Sequence, residues 1–382
     1  MEMNSIYLDH AATTPVHPKV GAVYVEMLET TFGNPSSIHG YGREARKHLD
    51  GARKVLAASI HAQPTEIIFT SGGTEADNIA VFGTAAAMKE EGNHIITTTI
   101  EHPAVLESCK RLEEQGYDIT YLEVNEQGQI DVWQVQEALS DKTILVSIMF
   151  GNNEVGTIQP IREIGKVLQN HQAIFHTDAV QAYGIVPLHV DELGVDLLSV
   201  SAHKLNGPKG IGFLYQRKGL KTAPLLFGGG QERKRRAGTE NLPAVAAFAE
   251  AVSIAQASME DNRKKYGNYA KILKSTLDGK EVAYEENAAE VDRLPHILNI
   301  SFPGTDIESL LVNLDMGGIA VSSGSACSAG SLDPSHVLTA MFGQGSPKLR
   351  NSVRFSFGLG LDEEAMREAA VTIATIVNRL VK

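Results

Sequence analysis

Two charged residues in the middle of this sequence come after short apolar runs that are typical of buried strands. Asp178 directly follows the run 173–177, and Lys204 closely follows the run 197–201. A charge at the end of a buried strand is costly unless an opposite charge or a ligand meets it. One interpretation is that Asp178 and Lys204 pair with each other. The other is that both face a ligand, because a lysine amine attacks carbonyls and a carboxylate keeps a ring nitrogen protonated.

A glycine-rich turn earlier in the chain predicts an anion site. Ser71-Gly72-Gly73-Thr74 follows the predicted strand 66–70 and precedes a predicted helix. Free backbone N–H groups and the positive end of the helix dipole meet at such a turn, which favours a phosphate. The alternative is an ordinary strand–helix turn with Thr74 as the N-cap.

Three further polar positions lie at strand ends or on a strand. His102 stands just before Pro103 and is either a helix cap or a ring-stacking residue. Asn152 and Asn153 are either turn formers or ligand-binding amides. Arg354 alternates with apolar neighbours, which places it on the opposite face of its strand. It is either an exposed strand residue or a guanidinium that binds a substrate carboxylate.

A phosphate seat, Asp178, Gln181, a ring-stacking candidate and Lys204 together match the requirements of pyridoxal phosphate. In this interpretation Lys204 bonds to the cofactor and Asp178 keeps the pyridine nitrogen protonated. Ligands of open α/β sheets lie beyond the carboxyl ends of the strands. We therefore expect these side chains to meet at one edge of a sheet.

The two cysteines have different surroundings. Cys109 falls at helical spacing with Val105 and Leu112, which predicts a packing residue. Cys327 lies in the Gly/Ser-rich stretch 322–335, which predicts a mobile loop. A thiol that picks up sulfur and carries it elsewhere needs such a loop. The alternative is a chance cysteine on a surface loop.

The elements that must position these residues alternate between strand and helix over the first two-thirds of the chain. Helices are predicted at 75–89, 104–115, 132–139 and 161–170. Such alternation predicts an α/β fold with a mostly parallel sheet covered by helices. The predicted strands are 66–70, 94–100, 118–123, 143–149, 173–177, 197–201 and 211–215.

The pattern changes after about residue 242 and predicts a smaller α+β domain. Its predicted elements are helices at 243–259, 261–277, near 307–314 and at 362–380, with strands at 296–302 and 352–357. The first dozen residues are expected to pack near this part. We thus predict a large domain over 15–257, and a small domain from 1–14 and 258–382 that carries the loop 322–335.

Composition narrows the class of protein. The 382 residues carry 34 basic and 46 acidic side chains, a net charge of −12, which argues against a generic nucleic-acid binder. No apolar run approaches the roughly 18 residues expected of a membrane helix. Two cysteines are too few for a disulfide framework or a structural zinc site. We expect a soluble, cytoplasmic globular protein without a secretory signal, a membrane span or an intrinsic metal site.

Several segments in this order resemble the cysteine desulfurases, and more closely the branch that supplies iron–sulfur assembly and tRNA thiolation. The segments are Tyr7-Leu8-Asp9-His10-Ala11-Ala12-Thr13-Thr14-Pro15, Thr70–Glu75, Glu101-His102, Asn152-Asn153-Glu154, His176–Gln181, Ser201-Ala202-His203-Lys204 and Gly324-Ser325-Ala326-Cys327. The resemblance implies a fold-type I enzyme of the class V aminotransferase group, with a seven-stranded sheet and pyridoxal phosphate as cofactor.

The resemblance also implies a role for each matching position. Lys204 would bond to the cofactor, Asp178 would bind its ring nitrogen and Gln181 its ring hydroxyl. His102 would stack on the ring and move protons, while Asn153 and Arg354 would bind the substrate. The phosphate would be held by Gly73, Thr74, Ser201 and His203, completed by Thr239 from the other subunit of a homodimer. Apart from that match, the segment Arg233-Lys234-Arg235-Arg236 is typical of a solvated basic turn.

The implied reaction removes sulfur from L-cysteine, leaving L-alanine and a persulfide on Cys327. The sulfur would pass to an acceptor protein, either an iron–sulfur scaffold or a tRNA-thiolating enzyme, and Cys327 would transiently ligate an iron–sulfur cluster. One alternative is another fold-type I enzyme, such as an aminotransferase or a selenocysteine lyase, that does not depend on Cys327. Another is a non-catalytic adaptor that binds no cofactor.

Overall fold

The computed structural model describes residues 5–323 and 334–381, and a seven-stranded sheet forms their largest layer. Along this sheet the strand order is β2-β8-β7-β6-β5-β3-β4, and only β8 runs antiparallel to its neighbours. The predicted α/β fold with a mostly parallel sheet is therefore confirmed. The strands are β2 (Ile67–Thr70), β3 (His94–Thr98), β4 (Asp118–Leu122), β5 (Thr143–Ser147), β6 (Ile174–Asp178), β7 (Leu197–Ser201) and β8 (Gly212–Gln216).

Helices cover this sheet, and its central strands are therefore buried on both faces. The predicted helices lie within two residues of their expected ends, while α1 and α2 come before the first predicted strand and were not predicted from the sequence. The helices up to β8 are α1 (Pro18–Thr30), α2 (Gly40–Ala58), α3 (Gly73–Ala87), α4 (Pro103–Glu113), α5 (Val132–Ala138), α6 (Ile161–Leu168) and α7 (Val190–Leu193).

Two smaller sheets accompany the last third of the chain. The strand β10 (Ile297–Ser301) pairs antiparallel with β9 (Glu285–Glu286) and with β12 (Ser352–Ser356). The N-terminal strand β1 (Ile6–Tyr7) pairs in parallel with β11 (Ile319–Ala320), which ties the start of the chain to this region. The remaining helices are α8 (Leu242–Gly279), α9 (Ile307–Met316), α10 (His336–Phe342) and α11 (Glu363–Val381).

The prediction of separate helices at 243–259 and 261–277 is wrong, because α8 is one helix of 38 residues. Residues 258–261 contain neither glycine nor proline, so nothing in the sequence interrupts the backbone ladder. The polar side chains at the junction are satisfied on the helix itself. Ser258 Oγ donates to Ile254 O at 2.9 Å and accepts from Asn262 Nδ2 at 3.0 Å.

The continuous helix α8 contributes to two hydrophobic cores. Its first half packs Val245 and Phe248 into the core of the large sheet. Its second half packs Tyr269 and Leu273 into a separate core built around β10, β12 and α11. The division into domains 15–257 and 1–14 plus 258–382 remains a prediction.

By length and composition alone, α8 is apolar enough to cross a membrane, which the sequence analysis did not anticipate. The long alanine-rich stretch at its start accounts for that result. The core helix of a soluble protein passes the same test. Packing of α8 against α1, α2 and α11 gives its apolar face a role in the protein core.

Candidate active site

The carboxyl ends of the central strands open into a cavity of about 270 Å³. This arrangement brings together side chains that lie almost 300 residues apart in the sequence. All of the predicted site residues that the structure describes line this cavity, except Thr239. Those lining it are Gly73, Thr74, His102, Asn153, Asp178, Gln181, Ser201, His203, Lys204 and Arg354. Thr239 is exposed, and Cys327 lies outside the described residues.

The amino end of α3 forms one wall of the cavity. Gly72 has φ +153°, a backbone conformation that favours glycine. At Gly73 an added Cβ would lie 2.8 Å from Val180 Cγ2, so a larger residue between α3 and the loop after β6 would require the Val180 side chain to shift. Gly73 and Thr74, whose backbone N–H groups belong to the first turn of α3, line the cavity together with Ser201 and His203. This donor set suits a phosphate group.

The strand-end charges do not pair with each other: among the described residues, Asp178 and Lys204 form no ion pair. Lys204 Nζ donates to Ala11 O at 2.6 Å and to Ala12 O at 2.8 Å. Asp178 Oδ1 accepts from Val180 N at 2.8 Å. Burial raises the pKa of Asp178, while His102, the Val180 N–H and Lys204 act to lower it. Both groups line the cavity, each held by its own backbone contacts.

His102 combines the two roles that the sequence left open. Its Nδ1 accepts from Ala104 N at 3.1 Å and so caps α4, while its ring lines the cavity. Burial lowers the pKa of His102. Because the cap occupies the Nδ1 lone pair, Nε2 is the atom through which this ring can exchange a proton.

The two adjacent amides divide their roles. Asn152 Oδ1 accepts from Glu154 N at 2.8 Å and from Val155 N at 3.0 Å, so Asn152 builds the turn. Asn153 lines the cavity. Its carbonyl oxygen accepts from Arg354 Nη1 at 2.9 Å.

Arg354 is buried, with 3% of its side chain exposed, so it is not an exposed strand residue. Its Nη2 pairs with Asp9 Oδ1 at 2.7 Å. Nε has no hydrogen-bond partner among the residues that the structure describes. The guanidinium is thus held in place by two of its five N–H donors, and the side chain lines the cavity.

The segment that flanks Thr239 is partly anchored and partly solvated. Arg233 and Lys234 are exposed, in agreement with a basic turn, but Arg236 Nε donates to Glu75 Oε1 at 2.8 Å. Glu75 also accepts from Ser71 N at 2.6 Å, so the segment is tied to the glycine-rich turn. Glu232, Arg233 and Lys234 all have positive φ, a strain that surrounding contacts must maintain.

Both flanks of the Cys327 segment contact residues at or next to the cavity. Ser322 O accepts from Arg354 N at 2.7 Å. On the other side, Ser335 Oγ donates to the buried Glu154 Oε2 at 2.5 Å, and His336 Nε2 contacts Glu101 O at 2.9 Å. Ser322 therefore contacts Arg354 itself, and Ser335 contacts Glu154, the residue next to Asn153.

Glu101 is a fully buried acid next to this region. Its Oε1 accepts from Thr98 Oγ1 at 2.8 Å and from Met149 N at 2.9 Å, whereas Oε2 has no partner in the described chain. Burial raises the pKa of Glu101 to about 8. The native protein therefore holds a proton at Glu101 that the unfolded chain releases near pH 4.5.

We expect Glu101→Gln to flatten the pH dependence of stability. Protonated Glu101 stabilises the fold fully below pH 4.5, and this contribution is lost as pH rises towards about 8. Thermal melts of the apoprotein should show the variant close to the parent at pH 5 and more stable, by about 3–4 kcal/mol, at pH 8. The exposed Glu107→Gln is the matched control; parallel curves for parent and Glu101→Gln would contradict the assignment.

Six residues that line the cavity were not among the predicted site residues, namely Ala11, Ala12, Asp77, Met149, Gly151 and Val180. Asp77 lies on α3, one turn after the glycine-rich turn, on the face that packs against the sheet. Helical spacing from Gly73 could have identified it, since positions four apart share a face. Among the described residues, no group of three or more His, Cys, Asp or Glu side chains is placed to hold a metal ion.

The chain is similar to known proteins over nearly its whole length. Residues 6–367 match the family described as aminotransferase class-V. The IscS 1 protein of Bacillus subtilis (strain 168) is 57% identical over 99% of this chain and 100% of its own length. A cysteine desulfurase IscS from Dictyoglomus turgidum (strain DSM 6724 / Z-1310) is 44% identical over 98% of this chain and 95% of its own length. A solved NifS-like protein, 35% identical, superposes with a TM-score of 0.91 over 98% of this chain and 100% of its own.

The chain belongs to the aminotransferase class-V family. Within that family it stands with the cysteine desulfurases, because its identity to such relatives extends over nearly the full length of both chains. The resemblance found in the sequence is thereby confirmed.

Proposed function

We propose that this chain is a pyridoxal-phosphate-dependent cysteine desulfurase. It removes sulfur from L-cysteine, releases L-alanine and carries the sulfur as a persulfide on Cys327. The observation that carries this proposal is the single cavity in which Lys204, Asp178 and Arg354 meet at the end of the sheet.

The residues around the cavity fit the cofactor. Gly73, Thr74, Ser201 and His203 would hold its phosphate, and Asp178 and Gln181 its ring. Lys204 would bond to it covalently, and His102 would stack on the ring. When bound, pyridoxal phosphate supplies an electron-accepting ring that weakens bonds to the substrate carbon atoms.

The protein side chains supply binding and proton transfer. Arg354 and Asn153 bind the carboxylate of L-cysteine, which orients the substrate α-carbon. The Lys204 amine accepts the α-proton, and His102 moves a proton at Nε2, because its Nδ1 caps α4. The Cys327 thiolate attacks the substrate sulfur, so that an S–S bond forms as the C–S bond breaks.

Arg354→Lys should weaken substrate binding more than turnover. A lysine keeps the charge but loses the planar fork that can bind Asp9, Asn153 O and a carboxylate together. We expect KM for L-cysteine to rise about 10- to 100-fold with a smaller change in kcat. The exposed Arg350→Lys on the same approach to β12 is the control. An unchanged KM would remove Arg354 from the substrate site.

The reaction itself is tested by product analysis. Purified protein reconstituted with pyridoxal phosphate and given L-cysteine with a thiol acceptor should form alanine and sulfane sulfur in equal amounts. An aminotransferase would instead form a keto acid from an amino donor, and a selenocysteine lyase would act on selenocysteine but not on cysteine. An adaptor would bind no cofactor, so absence of bound cofactor would contradict the proposal.

A homodimer is part of this proposal. Large apolar side chains are exposed on two neighbouring segments, with Ile38 91% and Phe227 87% exposed. Ser36 and Gly230 of these segments line one common cleft, so the apolar residues share a side of the molecule. Burial of such surface against a second copy favours association. In this proposal Thr239, which is exposed and does not line the cavity of its own chain, completes the phosphate site of the partner.

Mixed dimers test the contribution of Thr239 to the other subunit. Lys204→Ala and Thr239→Ala are each expected to bind pyridoxal phosphate weakly, Thr239→Ala by about five- to tenfold through loss of one hydrogen bond. A dimer of one chain of each kind then regains one intact site, built from Lys204 of one chain and Thr239 of the other.

The expected result is half of the parent's high-affinity cofactor binding, measured by titration of purified mixed dimers. If Thr239 served its own chain, both sites of the mixed dimer would be defective and no high-affinity binding would return. A monomeric parent protein in sedimentation would contradict the dimer itself.

The sulfur acceptor is an iron–sulfur scaffold or a tRNA-thiolating enzyme, and we place the protein in the cytoplasm. The net charge of −12 suits acceptors with basic docking surfaces. Cys327 would ligate an iron–sulfur cluster only during such a transfer. Reconstitution of sulfur transfer with each acceptor, using persulfide-loaded protein, distinguishes the two.

A further inference from the structure

A second carboxyl group shares the cavity with Asp178. Asp77 is 1% exposed, lines the same cavity, and its Oδ1 has no hydrogen-bond partner in the described chain. The proposed mechanism assigns no role to Asp77. Two carboxyl groups in one buried volume do not both ionise readily, so their surroundings decide which of them carries the charge.

The surroundings of the two acids differ. Asp178 accepts from the Val180 N–H and is favoured in its charged form by His102 and Lys204. Asp77 is not ion-paired to any lysine or arginine in the described chain. Burial and the nearby Asp178 raise the pKa of Asp77 well above its ordinary value, with a smaller contribution from Glu101, while the Ser199 hydroxyl opposes the rise.

The imidazole next to Asp77 is also uncharged. His176 Nδ1 lies 2.8 Å from Ser147 Oγ, and its Nε2 lies 3.0 Å from Ser199 Oγ and 3.6 Å from Asp77 Oδ1. Burial lowers the pKa of His176 to about 3. Since a neutral imidazole has one donor and one acceptor nitrogen, the two serine hydroxyls can satisfy both in a single direction.

The geometry points to Asp77 as a protonated hydrogen-bond donor and positioning residue that leaves Asp178 as the ionised carboxylate of the cavity. In this arrangement the Asp77 O–H donates to Ser199 Oγ, the Ser199 O–H to His176 Nε2, and the His176 Nδ1–H to Ser147 Oγ. The chain of donors joins α3, at the wall of the cavity, to β5, β6 and β7. The inference rests on the proposed cofactor and concerns which protein groups support Asp178.

Two substitutions at Asp77 separate a neutral donor from an anion. Asp77→Asn keeps an N–H donor of similar shape without charge, and Asp77→Ala removes the donor. We expect Asp77→Ala to raise the Kd of the apoprotein for pyridoxal phosphate about five- to tenfold, and Asp77→Asn to keep it within about twofold of the parent. The midpoint of the pH titration of the bound cofactor's visible absorption should be the same in Asp77→Asn and the parent.

Thr84→Ala is the matched control, because Thr84 is also buried on α3 with an unpartnered hydroxyl in the described chain but does not line the cavity. Its Kd should equal that of the parent. If Asp77→Asn and Asp77→Ala raise the Kd for pyridoxal phosphate equally, Asp77 is ionised and the inference is overturned. A shifted titration midpoint in Asp77→Asn would overturn it for the same reason. A silent Asp77→Ala would overturn it as well.

If Asp77→Ala does not fold, the comparison of Asp77→Asn with the parent still decides, since an anion next to a ring cation could not be replaced without weaker binding. A parent protein that binds no pyridoxal phosphate would be a different result. It would contradict the proposed function rather than the state of Asp77.

Discussion

Cys327→Ser is expected to retain bound pyridoxal phosphate and its colour, and to lose sulfur transfer from L-cysteine by about 10³-fold or more. A serine hydroxyl is a poor nucleophile towards sulfur and cannot store it as a persulfide. The measurement is alanine formation per cofactor in the presence of a thiol acceptor, together with persulfide detection on the protein.

Cys109 offers a control within the same chain. It is buried in a small core with Val105 and Leu112, as its helical spacing predicted, and burial raises the pKa of its thiol to about 12. A thiol in that state is no nucleophile at neutral pH. Cys109→Ala should therefore keep the full rate of persulfide formation. Catalytic transfer by Cys327→Ser, or its loss in Cys109→Ala, would exclude Cys327 as the sulfur carrier.

Lys204→Ala is expected to reduce turnover by about 10⁴-fold or more and to leave any bound cofactor without a covalent link to the protein. The lysine amine has two roles in the proposed reaction, namely attachment of the cofactor and acceptance of the α-proton. Denaturation after borohydride treatment, followed by mass measurement, should find the cofactor attached in the parent and absent from the variant.

The exposed Lys209→Ala, five residues further along the same loop, controls for general loss of charge. It should keep both the covalent attachment and the rate. Attachment of the cofactor at a lysine other than Lys204 would contradict the proposed mechanism. Added methylamine should restore part of the lost proton transfer in Lys204→Ala, because a free amine can occupy the space that the side chain leaves.

The seven strands of the large sheet were accessible from sequence because each is an apolar, β-branched run with a clear helix or turn on either side. Their ends differ from the prediction by at most two residues. The pairing of strands from distant parts of the chain could not be predicted from the sequence. The two-residue strands β1 and β11 exist only because residues 6–7 and 319–320 meet, and no local pattern marks such short elements.

The helices show the same division. The amphipathic helices between strands follow from periodicity, whereas the split of α8 at residue 260 was an error of local pattern. A helix ends where its hydrogen bonds cannot continue, and residues 258–261 contain no glycine or proline that would interrupt them.

In the site, residue type alone was not enough to predict the role of every side chain; for some of them the three-dimensional position was needed. His102, Asn152 and Asn153 each had two interpretations that sequence could not separate, because capping and ligand binding favour the same residue types. The structure assigns the turn to Asn152, the cavity to Asn153, and both a cap and a cavity wall to His102.

The sequence by itself determined the kinds of groups present, namely a strand-end lysine and carboxylate, a glycine turn before a helix, and a thiol in a glycine-serine stretch. Only the tertiary structure decided which of these groups share a volume, and that Asp77 is there too. The physical reason is that residue type and local spacing set what a group can do, whereas burial and neighbouring charges, which set its protonation and accessibility, come from segments far apart in the chain.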